Sequence, residues 1–237
     1  MSLFHRTTTI ARSGLLHSAV DCHCHLLPKV DDGVQLLADT LSLLSTMEQQ
    51  GVKRVWLTPH IMEDYPNSAE KLKDVFSKVN EAYRGNVSLK LAAEYMLDSE
   101  FDAHLNSHNL LPLCQDKKYL LVETSYFNPP IHFSHTLERI LSAGYFPLLA
   151  HPERYEYMDL NEYTTLHEMG ISFQLNLPSL VGIYGKGVQQ RAEHLLHSGM
   201  YNLYGTDTHT VHAYLHLLDA PIRIKHLPLI TSLTPTL

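Results

Sequence analysis

Cationic side chains are scarce in this 237-residue sequence, where 18 Lys plus Arg stand against 25 Asp plus Glu and leave a formal charge of −7. A grip on nucleic-acid backbones or anionic membranes needs the opposite balance, so the charge argues against both partners. Apolar runs are short, and none approaches the 18 or more residues that mark a bilayer-spanning helix. Residues 1–17 hold Arg6 and Arg12 but no continuous apolar core, so they do not read as a secretory signal. Cysteine is limited to Cys22, Cys24 and Cys114. An odd set of three cannot form a paired framework, and a reducing, cytoplasmic setting is expected. What the sequence has in excess is histidine, 17 residues, nearly as many as its lysines and arginines together. With 44% hydrophobic residues the chain can bury a real core, most simply as one domain.

Short apolar runs alternate with helical patterns from about residue 20 to residue 218. The runs are Val20–Cys24, Arg54–Thr58, Ser88–Ala93, Tyr119–Glu123, Pro147–Ala150, Ser172–Asn176 and Asn202–Thr206. Each is rich in Val, Leu, Ile or aromatics, as strands buried on both faces are. Between them, Val34, Leu37, Leu41, Leu44 and Glu48 follow a three-four spacing that Gly51 ends. Asn67 or Ser68 opens a second helix, with Leu72, Val75, Phe76 and Val79 on one face. A βα unit repeated seven times predicts parallel strands in either an open sheet or a closed barrel. No Gly-rich phosphate loop follows the first run, which favours a barrel over a nucleotide-binding sheet. The segment from Pro221 to Leu237 is expected to be irregular.

In a barrel of this kind, reactive groups gather at the carboxyl ends of the strands. Those ends read His23-Cys24-His25, Thr58-Pro59-His60, Glu94, Glu123, His151, the neutral Asn176, and Asp207-Thr208-His209. Residues i and i+2 of an extended segment point the same way, so His23 can act with His25 and Asp207 with His209. Cys22 and Cys24 then point elsewhere, which disfavours a thiolate ligand pair. Glu94 and Glu123 each close an apolar strand, and a buried carboxylate there needs a compensating cation. The combination points to metal ions.

Two loops add to this set. Asp31-Asp32-Gly33 can be a turn that caps the following helix or can supply a ligand aspartate above the first strand. After His151 come Pro152-Glu153-Arg154-Tyr155; Arg154 either binds a phosphate or carboxylate beside the metals or pairs with Glu153 or Glu156. Tyr95, Tyr126, Phe127 and Tyr155 lie near strand ends and either flank an aromatic substrate or pack within loops. The histidines at 5, 17, 104, 108, 132, 135, 167, 194, 197, 212, 216 and 226 are read as lying outside the site.

His-Cys-His, Asp-Asp-Gly, Thr-Pro-His, Ala-Glu-Tyr, Val-Glu-Thr, Ala-His-Pro-Glu-Arg-Tyr and Gly-Thr-Asp-Thr-His occur here in order. With these motifs the sequence resembles the polymerase and histidinol phosphatase (PHP) superfamily. Within it, the match is to the bacterial manganese-dependent tyrosine phosphatases of capsular and exopolysaccharide synthesis. The resemblance covers about residues 19–218, leaving an extension at 1–18 and a tail at 219–237. It implies an α/β fold, a distorted (β/α)7 TIM-like barrel, holding three divalent ions. His23, His25, Glu94 and Asp207 would bind the first. Glu94 would bridge to a second held by Glu123 and His151, and Asp32, His60 and His209 would bind the third. Manganese is the expected metal, although mixed nitrogen and oxygen ligands without thiolate also admit iron or zinc.

The implied activity is hydrolysis of phosphotyrosine, on the tail of a bacterial tyrosine autokinase. No Cys-x5-Arg nucleophile loop is present, so water is the expected nucleophile, activated by the ions that Glu94 and Asp207 help to hold. Arg154 would contact the phosphoryl oxygens. Thr210-Val211-His212 stands where some members carry a second arginine, so a second phosphate clamp is not expected from these residues. One alternative is the same site acting on a small ester such as histidinol phosphate. Another, of a different class, is a metal-binding regulatory module without turnover.

Overall fold

A computed structural model describes residues 6–114 and 116–233. The first elements are β1 (Thr7–Thr9), β2 (Val20–Cys24), α1 (Leu37–Gln49), β3 (Arg54–Leu57), β4 (His60–Ile61) and α2 (Ala69–Ala82). Next come β5 (Ser88–Leu91), β6 (Glu94–Met96), α3 (Phe101–Ser107), β7 (Tyr119–Glu123), α4 (Phe133–Ser142), β8 (Phe146–Ala150) and α5 (Leu160–Glu168). The last are β9 (Ser172–Asn176), α6 (Leu177–Leu180), α7 (Lys186–His197), β10 (Tyr201–Gly205), α8 (Val211–Asp219), β11 (Pro221–Arg223) and α9 (Leu227–Thr231). The fold is therefore mixed α/β, and each of the seven expected runs contains a parallel strand.

The strands do not form one closed seven-membered ladder among the described residues. They divide into a three-stranded sheet, β2-β3-β5, and a six-stranded sheet, β4-β6-β7-β8-β9-β10. The division arises because the second and third runs each break in mid-course. Beyond Leu57, the Thr58 N–H goes to the Cys24 carbonyl at 2.8 Å, and Pro59 has no N–H to donate. The chain resumes as β4, paired with β6 through His60 opposite Glu94. In the third run, Ala92 still donates to Leu57, but Ala93 turns to Leu111 and Glu94 to Pro59, each at 3.0 Å. The first halves of both runs thus belong to one sheet and the second halves to the other.

At the opposite edge, β10 lies against β2. Asp207 N–H donates to the His23 carbonyl at 2.8 Å, and His25 N–H to the Thr208 carbonyl at 2.9 Å. The buried Asp21 carboxylate accepts the Thr206 N–H at 2.9 Å and the Thr206 hydroxyl at 2.6 Å. Two glycines permit this approach. A Cβ on Gly205 would sit 2.5 Å from His23 Cβ, and one on Gly33 would sit 2.3 Å from the His25 carbonyl oxygen.

Alternation along the strands separates two apolar clusters. Leu120 and Val122 join the large core under the helices, while Leu121 joins a smaller cluster with Cys22, Trp56, Leu148 and Leu203. Cys24 lies in the large core, and its thiol meets the Trp56 carbonyl at 3.3 Å. Both strand cysteines are therefore absorbed by packing, but in different clusters, because the register shift between Asp21 and Cys24 breaks the parity that would keep them on one face.

Helix α2 follows the sequence expectation: Ser68 caps it by accepting the Lys71 N–H, and Leu72 and Val79 are buried. Helix α1 departs from it. It begins at Leu37, which is exposed, and its buried face is Thr40, Leu43, Leu44 and Met47. The Thr40 hydroxyl donates to the Leu26 carbonyl at 2.9 Å, beside the buried Leu43, Leu44 and Met47. The segment after Pro221 is also more regular than expected. Strand β11 pairs antiparallel with β1, and α9 follows. No described helix is long and apolar enough to cross a membrane.

The C-terminal segment buries His226 at 1% exposure, with Nε2 unpartnered. Burial, aided by His197, Lys225 and Arg223, pushes its pKa down to about 4. An unfolded histidine titrates near ~6.5, so the unfolded chain takes up the proton first. The contribution of this residue is intact above that value and is lost as pH falls through it towards 4. His226→Phe should therefore flatten the fall of Tm over that range. Parallel Tm–pH curves for the two proteins would contradict this account.

Candidate metal centre

The breaks in the second and third runs place His60 and Glu94 at the first positions of β4 and β6, opposite one another. Glu123 ends β7, two residues beyond Leu121, and lies on the same face above the smaller apolar cluster. On β2, three steps from Asp21 to Cys24 face two on β3, the extra residue of a bulge. His23 lies within it, and bulges commonly re-aim side chains at functional sites. His151 (φ 37°) and Asp207 (φ 50°) follow β8 and β10 in the left-handed region. Backbone strain of this kind in non-glycine residues collects at functional sites.

The nine residues expected as ligands converge. His23 Nε2 and His25 Nε2 are 3.1 Å apart. They lie 3.1 and 3.3 Å from Glu94 Oε2, and 3.5 and 3.4 Å from Asp207 Oδ1. His151 Nε2 lies 3.1 Å from Glu94 Oε1 and 3.7 Å from Glu123 Oε2. Asp32 Oδ1 lies 3.5 Å from His60 Nε2 and 3.6 Å from His209 Nε2. The groupings overlap more than three separate sets would. His25 also stands with Asp32, His60 and His209, and His60 Nδ1 is 3.0 Å from Glu123 Oε1 and 3.2 Å from Glu94 Oε2.

This arrangement fits divalent cations. Glu94 and Glu123 are 0% and 3% exposed, and Glu94 Oε2, Glu123 Oε1 and His60 Nδ1 are buried without a hydrogen-bond partner. Buried carboxylates and imidazoles packed within about 3 Å of one another form a donor set suited to a cation. Oxygen and imidazole donors without thiolate suit manganese, iron or zinc. Burial alone would raise the Glu94 and Asp207 carboxyls, yet the surrounding histidines hold both well below the ordinary range. Burial likewise opposes a charged His23, but Glu94 and Asp207 lift it to about 9.

Several residues outside the expected set orient it. His23 Nδ1–H donates to Gln174 Oε1 at 3.0 Å, and His25 Nδ1–H to Asp31 Oδ2 at 2.9 Å. His209 Nδ1–H donates to the Asp207 carbonyl at 2.8 Å. Each bond leaves Nε2 free for a cation, the usual division between a ligand histidine and its supporting partner. The two adjacent aspartates thus differ: Asp31 is buried against His25, whereas the Asp32 side chain is half exposed at the cavity. Gln174 and Asn176 are buried amides on a strand where the sequence showed no charge, the only signal they gave.

A cavity of about 410 Å³ opens over the cluster, lined also by Tyr126, Arg154 and Tyr184. Arg154 pairs with neither Glu153 nor Glu156. Its Nη1 donates to Asp207 Oδ2 at 3.0 Å, and its pKa is raised by that carboxylate against the effect of burial. Glu153 is itself buried and accepts the Asn176 N–H and the Tyr201 hydroxyl. Tyr95 and Tyr155 are buried and Phe127 is exposed, so of the four aromatic candidates only Tyr126 reaches the cavity. Of the remaining histidines, His5 lies outside the described residues; the others join none of the ligand groups.

A parallel α/β fold with a buried histidine–carboxylate cluster at its strand ends defines a candidate metalloprotein with an open, arginine-bearing mouth. The family described as capsular polysaccharide synthesis, CpsB/CapC, matches residues 19–219, and the chain belongs to it. Tyrosine-protein phosphatase YwqE of Bacillus subtilis (strain 168) is 28% identical over 198 residues, covering 81% of this chain and 78% of the relative. Tyrosine-protein phosphatase CpsB of Streptococcus pneumoniae is 27% identical over 205 residues, covering 81% and 83%. A chain from the solved structures of these two proteins, described as metal-dependent tyrosine phosphatases, has a TM-score of 0.74 at 24% identity, covers 92% of this chain and 96% of its own length, and has the same fold.

His151→Ala should lower the divalent metal content by one ion per chain, measured by elemental analysis, while far-UV circular dichroism stays unchanged. Full metal content in that variant would remove His151 from the cluster.

Proposed function

We propose that this chain is a metal-dependent protein-tyrosine phosphatase that acts in capsular or exopolysaccharide synthesis. The observation that carries this reading is the buried carboxylate–imidazole cluster under a cavity that presents Arg154, in a CpsB/CapC family member. The finer assignment is a distorted (β/α)7 barrel with three manganese ions, in which His23, His25, Asp32, His60, Glu94, Glu123, His151, Asp207 and His209 are the ligands. Bound divalent ions would lower the pKa of a water and offset phosphoryl charge.

The chain's own residues do the rest. Glu94 and Glu123 place carboxylates where water cannot solvate them, and would hold the cations there. Arg154 presents a guanidinium to the phosphoryl oxygens and shares Asp207 Oδ2 with the Asn176 amide, 2.9 Å away. No cysteine lines the cavity, consistent with attack by water. A phenolate is a good leaving group, so a dedicated general acid is not required. The partner we assign is the phosphorylated tail of a bacterial tyrosine autokinase. The setting is the cytoplasm, where three free thiols stay reduced.

The test is to give metal-loaded protein a phosphotyrosine peptide and histidinol phosphate in parallel. Turnover of the peptide, abolished by chelation and restored by Mn2+, is the expected outcome. Preference for histidinol phosphate would reassign the substrate, and inactivity on both with ions bound would leave a non-catalytic metal-binding module.

A further inference from the structure

The guanidinium of Arg154 lies over two aromatic rings. Its Cζ lies 4.3 Å from the centroid of Tyr126 and 4.3 Å from that of Tyr184. A guanidinium has two flat faces that favour aromatic rings and a rim of N–H groups that favours oxyanions. With two rings packed against the group and Asp207 on Nη1, recognition of an anion is left to the remainder of the rim, at the cavity.

We propose that Tyr126 and Tyr184 form a two-sided aromatic clamp that fixes the plane of Arg154, and that Tyr184 is a positioning residue for phosphate recognition. The two jaws differ in support. Tyr126 stacks on Tyr155 at 6.2 Å and meets the edge of His151 at 5.8 Å, so it belongs to the packed wall. Tyr184 lies in the connection between α6 and α7, flanked by Gly182 and Gly185 at φ 88° and 91°, and is 40% exposed. Burial pushes both phenols up, which keeps the rings uncharged.

The clamp matters because Arg154 is the single Arg or Lys among the described residues lining the cavity. Without rings on its faces, a long side chain tied at one nitrogen would sample other rotamers, and phosphate binding would have to order it. The inference rests on the phosphatase reading for the identity of the anion. It does not depend on turnover, because inorganic phosphate probes the same contact.

Phosphate affinity of Mn2+-loaded wild type, Tyr184→Phe and Tyr184→Leu, measured by calorimetry with metal content determined on each sample, tests the clamp. Tyr184→Leu is expected to weaken phosphate binding roughly ten-fold, with metal content unchanged. Tyr184→Phe, which keeps the ring, should match wild type. If the phosphotyrosine peptide is turned over, the Leu variant should show the change in KM rather than kcat. Equal affinity in the Leu variant overturns the clamp. So does a Phe variant that falls as far as the Leu variant, since the hydroxyl would then be the active element, and so does a wild type that binds no phosphate. Absence of turnover with the affinity pattern intact would sink the phosphatase reading while leaving the clamp standing.

Discussion

Glu94 holds a carboxylate without access to water, ringed by His23, His25, His60 and His151 at 3.1 to 3.3 Å. A charge in such a position is tolerable only if opposite charge stays within contact distance. Four separate parts of the chain must therefore reach one point, and the architecture can be read as the means by which they do so. The bulge in β2 contributes His23, the restart of the second run contributes His60, and the left-handed residue after β8 contributes His151. The carboxylate itself begins β6. None of these devices is an ideal strand, and the departures from regularity lie where the clustered imidazoles and carboxylates are.

The division of the sheet belongs to the same logic. A ladder kept continuous through Pro59 and Ala93 would hold His60 and Glu94 in line with the three-stranded sheet. Passing both runs from one sheet to the other bends them at Thr58–Pro59 and Ala92–Ala93 and delivers the two side chains beside β7. The bends are secured by backbone bonds to Cys24, Leu57, Leu111 and Pro59. Helix α1 is anchored by its buried Leu43, Leu44 and Met47, with the Thr40 hydroxyl bonded to the Leu26 carbonyl.

Much of the site was legible in the sequence because its information is local. His-x-His and Asp-x-His declare a shared direction by strand parity, and a glutamate after Leu-Leu-Val or Leu-Ala-Ala declares a buried charge. The seven runs were legible for the same reason. The supporting residues were not, because their roles depend on partners far away in the chain. Gln174 acquires meaning only once His23, 151 residues earlier, donates to it. Tyr184 matters only once the connection after α6 folds over Arg154. Asp31 and Asp32 are indistinguishable as a dipeptide, and the fold separates them by turning one inward beneath His25. The break of the ladder was also hidden, since Thr-Pro is compatible with a strand end as well as with a strand that resumes. The pairing of β1 with β11 joins segments more than 200 residues apart, beyond the reach of any periodicity.

The two glycines beneath the first-strand histidines have a wider implication. Gly205 leaves room for His23, and Gly33 for His25; at each, even one methyl group would collide with backbone or Cβ atoms of the histidine. The depth of the cluster is thus set by absent atoms. A relative could retain every ligand, the arginine and both tyrosines, and still be inert because a side chain at either position displaces an imidazole. Competence of a homologous sequence should accordingly be judged by the empty space behind its histidines as well as by the histidines themselves.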